Sequence, residues 1–282
     1  MKQAELFDIN GHVAIVTGGA SGLGLAYAEV MAQNGASVVI ADLNKAEADR
    51  HAARLNAMGC KVEAVALDVA DTDALRDTID GTAKRHGRLD ALFANAGISA
   101  GPGTLLTPTG AIDQFDVALF EKAVAINMTS TLMAMRFAVP YMKRRRSGSI
   151  VVTASIAGIQ AEPICGYGYV ASKAAVINIV RQAAVELAPF NIRVNSIAPG
   201  PFFTNIGDGR LKKNPEVVKL FADMVPMGRL ANTDEIKGLA LLLASPAGSY
   251  LTGTVIPIDG GTTAVSTRGH YSEAVAREGA NG

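Results

Sequence analysis

Cysteine, histidine and net charge are all scarce in this chain, and each shortage removes a class of protein. Only Cys60 and Cys165 occur among 282 residues. Two thiols so far apart make neither a disulfide framework nor a metal-type spacing, and they fit a reducing cytoplasm. The four histidines, His12, His51, His86 and His270, form no ligand cluster. No catalytic metal is therefore expected, and each histidine reads as a surface or element-end residue. Lys and Arg number 26 against 26 for Asp and Glu, which argues against nucleic acid or a membrane as partner and for a small molecule. Met1 to Asn10 carries no apolar signal core, and no uninterrupted apolar stretch reaches membrane-spanning length.

What the chain does have is an apolar fraction of 49% with 18% charged residues, the balance of a globular protein with a core. No linker or repeat interrupts it, so residues 1–282 read as a single domain. The basic run Lys143-Arg144-Arg145-Arg146 sits between a helix and a strand and reads as a solvated cap on the helix C-terminus. Short β-branched runs alternate with helical stretches: strands at His12 to Val16, Ser37 to Ala41, Val62 to Leu67, Leu89 to Ala94, Ile150 to Ala154, Ile192 to Ile197 and Thr254 to Ile258. Helices are expected at Leu25 to Gln33, Lys45 to Met58, Asp73 to His86, Ile112 to Val139, Val170 to Leu187 and Asp234 to Ala244. That alternation predicts an α/β fold, a Rossmann-like doubly wound parallel sheet of about seven strands with helices on both faces. Ligands on such a sheet collect at the carboxyl ends of the strands.

Those ends carry the informative residues. The first strand runs into Thr17-Gly18-Gly19-Ala20-Ser21-Gly22-Leu23-Gly24 and then a helix, a turn in which glycines let backbone amides approach a pyrophosphate. Asp42 closes the next strand, eighteen residues beyond Gly24. A carboxylate there accepts from an adenosine ribose and repels a 2′-phosphate, which points to NAD. Asp68-Val69, Asn95-Ala96-Gly97 and Ala198-Pro199-Gly200-Pro201-Phe202-Phe203-Thr204 end later strands at the same edge.

The reaction centre is expected at Ser155, which ends a strand, and at Tyr169 and Lys173, which share a helix face four residues apart. Tyr167 and Lys173, six apart, point about 240° from one another, so Tyr169 is the tyrosine of interest. A free phenol is a poor base at neutral pH, and an adjacent ammonium favours its ionised form. So tuned, Tyr169 exchanges a proton with an alcohol or carbonyl while Ser155 holds the same oxygen. Asn127, among Val124, Ile126, Leu132 and Met133, reads as partly buried and in need of hydrogen-bond partners.

Taken together, Thr17, Gly18, Gly22 and Gly24 as TGxxxGxG, the Asn95-Ala96-Gly97 turn, Tyr169 and Lys173 as YxxxK, and the Pro199-Gly200 loop resemble the short-chain dehydrogenase/reductase family over about residues 8 to 261. The resemblance implies a catalytic tetrad of Asn127, Ser155, Tyr169 and Lys173, with Asn127 holding a water in a proton relay behind Lys173. It implies cofactor contacts from Gly18, Ser21, Gly22, Leu23, Gly24, Asp42, Leu43, Asp68, Val69, Asn95, Ala96, Gly97, Tyr169, Lys173, Pro199, Gly200, Phe202 and Thr204. It also implies a homotetramer, or a homodimer, packed partly through the helix of Tyr169. A substrate lobe is expected at about 201–228. The segment from Ile98 to Asp113 looks longer and richer in glycine than in many relatives, and 262–282 extends beyond their common end.

The expected activity is NAD-dependent interconversion of a secondary alcohol and its ketone. Ile156, Ile164, Cys165, Pro201, Phe202 and Phe203 neighbour the motifs, so the substrate is expected to be largely apolar. The alternatives are a nucleotide-sensing or scaffold protein on the same fold, or an epimerase or dehydratase with tightly held NAD.

Overall fold

The computed structural model describes residues 3–204 and 215–265. Its strands are β1 (Val13–Thr17), β2 (Ser37–Asp42), β3 (Lys61–Ala66), β4 (Ala91–Ala94), β5 (Gly148–Thr153), β6 (Ile192–Pro199) and β7 (Val255–Ile258). All pair in parallel in one sheet, in the order β3-β2-β1-β4-β5-β6-β7. The chain winds outward from β1 to β3, then returns to place β4 on the other side of β1. The strand order thus reverses between β1 and β4, and this reversal opens a crevice at their carboxyl ends.

The apolar runs are continuous because the sheet is buried on both faces. Val13 and Ile15 enter one core with Leu92, Ala94, Ile150 and Val152. Their neighbours Ala14 and Val16 enter the other with Ala91, Phe93 and Val151. Each fully buried Val, Leu or Ile contributes about 1.5–3 kcal/mol, so these short strands are fixed in register by their side chains.

Helix ends follow local chemistry where the chain supplies it. Asn44 caps Lys45–Ala57 by accepting from the Glu47 amide, and Asp71 caps Thr72–His86 by accepting from the Asp73 and Ala74 amides. Gly87, at φ 67°, stops the latter after three basic residues. His51 is buried, contrary to the surface expectation, because Ala48, Ala52 and Leu55 carry its helix face into the core.

Between Ile112 and Val139 a single helix was expected, stopping before Pro140. The chain instead forms helix Val117–Ala123, a π-helical turn Val124–Thr129 and helix Ser130–Arg145, which passes through Pro140. Asp116 sets the start by accepting from the Leu119 amide at 3.0 Å. Beyond Pro140 the helix is held from outside: the Tyr141 hydroxyl donates to Asp80 at 2.8 Å, and Met142 is fully buried. The helix bearing Tyr169 also begins earlier than its composition indicates, at Tyr167, and runs to Leu187. Helix Pro215–Asp223 belongs to the expected lobe at 201–228, whose stretch 205–214 lies outside the described residues, as does the tail beyond 265. Among the described residues no helix is long and apolar enough to cross a membrane.

At the amino-terminal edge of the sheet, the buried carboxylate of Asp90 accepts from the Val13 amide at 2.8 Å and from Arg88 at 2.7 and 2.8 Å. Removing it leaves a strand amide and a guanidinium without their acceptor. Because the Arg88 side chain can reach water, Asp90→Ala should lower unfolding stability by about 1–3 kcal/mol, the cost of the orphaned strand amide. Urea unfolding checks this, and an unchanged midpoint at unchanged slope would refute it.

Candidate active site

A cavity of about 520 Å³ opens at the carboxyl ends of the strands. Gly18, Ser21, Gly22 and Leu23 reach it from the turn after β1, Asp42 and Leu43 from the end of β2, and Asp68 and Val69 from beyond β3. Asn95, Ala96 and Gly97 follow β4, and Ser155 follows β5; Tyr169 and Lys173 project from their helix, Pro199 ends β6, and Gly200, Phe202 and Thr204 lie in the loop after it. The two remaining candidates, Gly24 and Asn127, stand behind the wall. A side chain at Gly24 would collide with the Gly18 carbonyl oxygen and the Asn95 amide, so this glycine lets helix Gly22–Gln33 sit tight on the turn. Asn127 occupies the π-helical turn; its Nδ2 donates to Ile98 O and Ser172 Oγ, both at 3.0 Å, and its Oδ1 accepts from the Ile98 amide at 2.8 Å.

The reacting groups converge. Ser155 caps a short 3₁₀ turn by accepting from the Ala157 amide at 3.1 Å, and it lines the cavity together with Tyr169. One turn along, Lys173 Nζ lies 5.6 Å from the centre of the Tyr169 ring and donates to the Thr153 carbonyl at 2.6 Å. Tyr167 faces elsewhere, 41% exposed, with its ring against Phe115. Tyr169 and Lys173 thus share a helix face, and Tyr167 does not.

The electrostatic expectation does not hold in the free protein. Burial pushes the Tyr169 phenol up to about 12, with the Cys165 thiol adding to the rise and the Ser155 hydrogen bond opposing it. Burial also brings Lys173 down to about 8. Both groups have lost water, which disfavours the charged form of each.

The cavity fits a dinucleotide. Helix Gly22–Gln33 begins at its wall with Ser21 as N-cap, and the Ser21 side chain makes no capping hydrogen bond. The first-turn amides, which a helix cannot satisfy internally, are thus presented to an anion. Gly22 holds φ +53°, and the nearest atoms to a side chain there would be those of Thr204 at 3.5 Å, so turn and β6 loop face each other across a cradle. Asp42 accepts from the Ala20 and Asn44 amides, both at 2.9 Å, which fixes its carboxylate at the wall. Lys45, the nearest cation in sequence, is paired with Asp49 at 2.5 Å.

Of the apolar residues expected around the substrate, Ile156, Ile164, Cys165, Pro201 and Phe202 line the cavity and Phe203 does not; its amide is tied to Ala231 O at 2.9 Å. Sequence reasoning missed Glu162, Leu106, Val217, Phe221 and Met224, which also line it. For Glu162 a signal existed: it lies on the connection between Ser155 and Tyr169, both of which face the cavity.

Over residues 18–263 the chain matches the family described as enoyl-(acyl carrier protein) reductase. It is 35% identical over 254 residues to 3-oxoacyl-(acyl carrier protein) reductase FabG of Thermotoga maritima, covering 90% of this chain and 98% of that protein. It is 37% identical over 253 residues to cis-4-hydroxycyclohexanecarboxylate dehydrogenase of Sinomonas cyclohexanicum, covering 90% of this chain and 97% of that protein. A solved Beutenbergia cavernae protein with NADP bound at low occupancy superposes with a TM-score of 0.83 at 30% identity, covering 92% of this chain and 99% of that one.

The role given to Gly24 is testable because alanine ordinarily favours a helix by about 1 kcal/mol over glycine. Gly24→Ala should nonetheless weaken binding of the reduced nicotinamide cofactor, NADH or NADPH, by about tenfold or more, since the helix must move off the turn. Fluorescence titration measures it, and unaltered affinity would remove the assigned packing role.

Proposed function

The chain belongs to the short-chain dehydrogenase/reductase family, and from that premise we propose that it interconverts a largely apolar secondary alcohol and its ketone with NAD, Tyr169 moving the proton. It is an oxidoreductase that uses a nicotinamide cofactor. The observation that carries the finer reading is the convergence of Ser155, Tyr169 and Lys173 on one cavity wall, with Lys173 Nζ 5.6 Å from the centre of the Tyr169 ring.

In oxidation, Tyr169 takes the hydroxyl proton of the alcohol while Ser155 donates a hydrogen bond to the same oxygen; in reduction, the phenol returns that proton to the carbonyl oxygen. The cofactor, when bound, accepts or supplies the hydride and, in its oxidised form, adds a positive charge beside the phenol. Lys173, anchored on Thr153 O, holds its ammonium where phenolate charge develops. On this reading Asn127 holds a relay water behind Lys173. The amides of Ser21 to Gly24 hold the pyrophosphate, Asp42 and Leu43 meet the adenosine ribose, Asp68 and Val69 flank adenine, and Pro199 to Thr204 take the carboxamide. A ring-borne alcohol is the preferred substrate class, supported by the apolar wall and by the relative named for cis-4-hydroxycyclohexanecarboxylate. The same reading takes 1–282 as one catalytic domain, with a substrate lobe at about 201–228 and an extension at 262–282, working as a homotetramer or homodimer in the cytoplasm.

Asp42 supports NAD over NADP, because its fixed carboxylate repels a 2′-phosphate and Lys45 is drawn to Asp49. Asp42→Ala should narrow the NAD preference by about tenfold, read as the ratio of kcat/KM with the two cofactors. A wild-type enzyme equally active with NADP would overturn the assignment.

Tyr169→Phe should lower kcat by roughly 10²–10⁴ while NADH affinity stays within a few-fold, and Tyr167→Phe should be mild. Equal losses from the two would sink the assignment of the proton to Tyr169.

The third expectation concerns pH. In ketone reduction Tyr169 becomes phenolate, and the Lys173 ammonium stabilises it. As pH rises through about 8, Lys173 loses its proton and the single-turnover reduction rate should fall. Lys173→Met should be slow and lack that inflection; an inflection retained in the variant would assign it to another group.

A further inference from the structure

We propose that the buried hydroxyl of Tyr27 is a positioning group for the cofactor site, acting through Thr153 and Asn95 on the turn that presents amides to the pyrophosphate. The inference rests on the nicotinamide-cofactor reading above and adds a residue to it.

Tyr27 lies on helix Gly22–Gln33 and is fully buried, in the core that also holds Ala14, Val16, Phe93 and Val151. Its ring stacks on Phe93, with centroids 5.1 Å apart and planes at 26°. Phenylalanine would fill that space at no polar cost, whereas a hydroxyl carried into an apolar core needs a partner. Among the described residues that partner is Thr153. Tyr27 Oη stands 3.4 Å from Thr153 Oγ1, at the carboxyl end of β5.

Thr153 has one hydroxyl proton, and Asn95 Oδ1, 3.0 Å away, can only accept it, because Asn95 Nδ2 faces the carbonyls of Thr17 and Gly18. The Tyr27 phenol therefore donates to Thr153. Burial raises the phenol above its ordinary value, so it keeps the proton that this requires.

The donors thus run one way, from Tyr27 to Thr153, from Thr153 to Asn95, and from Asn95 to the Thr17 and Gly18 carbonyls. Gly18 leads through Ser21 into the helix that carries Tyr27, so the hydrogen bonds close a ring. Helix, strand end and glycine turn are each held by the other two. Tyr27 does not line the cavity, and it acts there through Thr153 and Asn95, which do. Without the phenol, one of the two contacts that orient the Thr153 hydroxyl is gone, and the Asn95 carboxamide is held less firmly on the turn.

The test is a double-mutant cycle on cofactor affinity, measured by fluorescence titration of the full chain with whichever reduced cofactor, NADH or NADPH, binds the wild type more tightly. Tyr27→Phe, which keeps the ring stack, should weaken that binding by about threefold to tenfold, the scale of one hydrogen bond. Thr153→Val should weaken it at least as much, and adding Tyr27→Phe to Thr153→Val should bring no further loss. Thr153→Ser, which keeps the hydroxyl, should retain the sensitivity to Tyr27→Phe. A loss of overall stability alone would leave the affinity of the folded protein unchanged and would not depend on the hydroxyl at 153. Unaltered affinity in Tyr27→Phe, or the same loss from it in the wild-type and Thr153→Val backgrounds, overturns the proposal. A coupled loss of affinity without turnover of any alcohol supports it and strikes the alcohol-and-ketone reading instead.

Discussion

The carboxamide of Asn95 is the tie on which the site depends. Its Nδ2 donates to the carbonyls of Thr17 and Gly18, both at 3.1 Å, and its Oδ1 accepts from Thr153 Oγ1 at 3.0 Å. The ends of β1, β4 and β5 are thereby joined through one side chain. Thr153 then passes the constraint on, because its carbonyl receives Lys173 Nζ at 2.6 Å. The turn that presents amides to a pyrophosphate and the lysine beside the phenol are thus fixed relative to each other by two residues. Asn95 lines the cavity, yet its amide is engaged within the protein, so its contribution is to hold the turn rather than to offer a free side-chain donor. Buried polar groups of this kind are stable only when fully satisfied, and here every member has its partner.

The fold was legible because its strands are buried on both faces. Val13 to Val16 can only be a central strand, and the turn residues after it mark the carboxyl end. Strand ends in such a sheet converge on one crevice, which is why Asp42, Asp68, Asn95, Ser155 and Gly200 could be placed together from their positions alone. Boundaries set by distant contacts were not legible. Nothing local announces that Tyr141 will find Asp80 and carry a helix past Pro140, or that a π-helical turn will turn Asn127 toward Ile98. Glu162 carries no motif either; only the pairing of its loop with the segment at Gly101 to Leu105 brings it to the wall. A residue's sign of charge is readable from sequence, whereas its neighbours depend on which backbones can approach.

Tyr169 shows the same limit in energetic form. Spacing correctly puts an ammonium on its helix face, and attraction alone would ease ionisation of the phenol. Burial acts on the same groups in the opposite sense, and its size is set by the whole surrounding structure. With the phenol at about 12 and the lysine at about 8, the free site at neutral pH is chiefly a phenol beside an ammonium. That is the state of a proton donor, matched to carbonyl reduction without prior ionisation. Service as a proton acceptor would need the phenol to ionise first, and burial opposes that. The protein's own contribution is to hold Lys173 close to the phenol, while burial works against its charge. Its bond to Thr153 O does this, and Thr153 is paired in β5 and tied through its hydroxyl to Asn95. The packing that raises the phenol is therefore the packing that keeps its cation in place, and neither effect can be removed without the other.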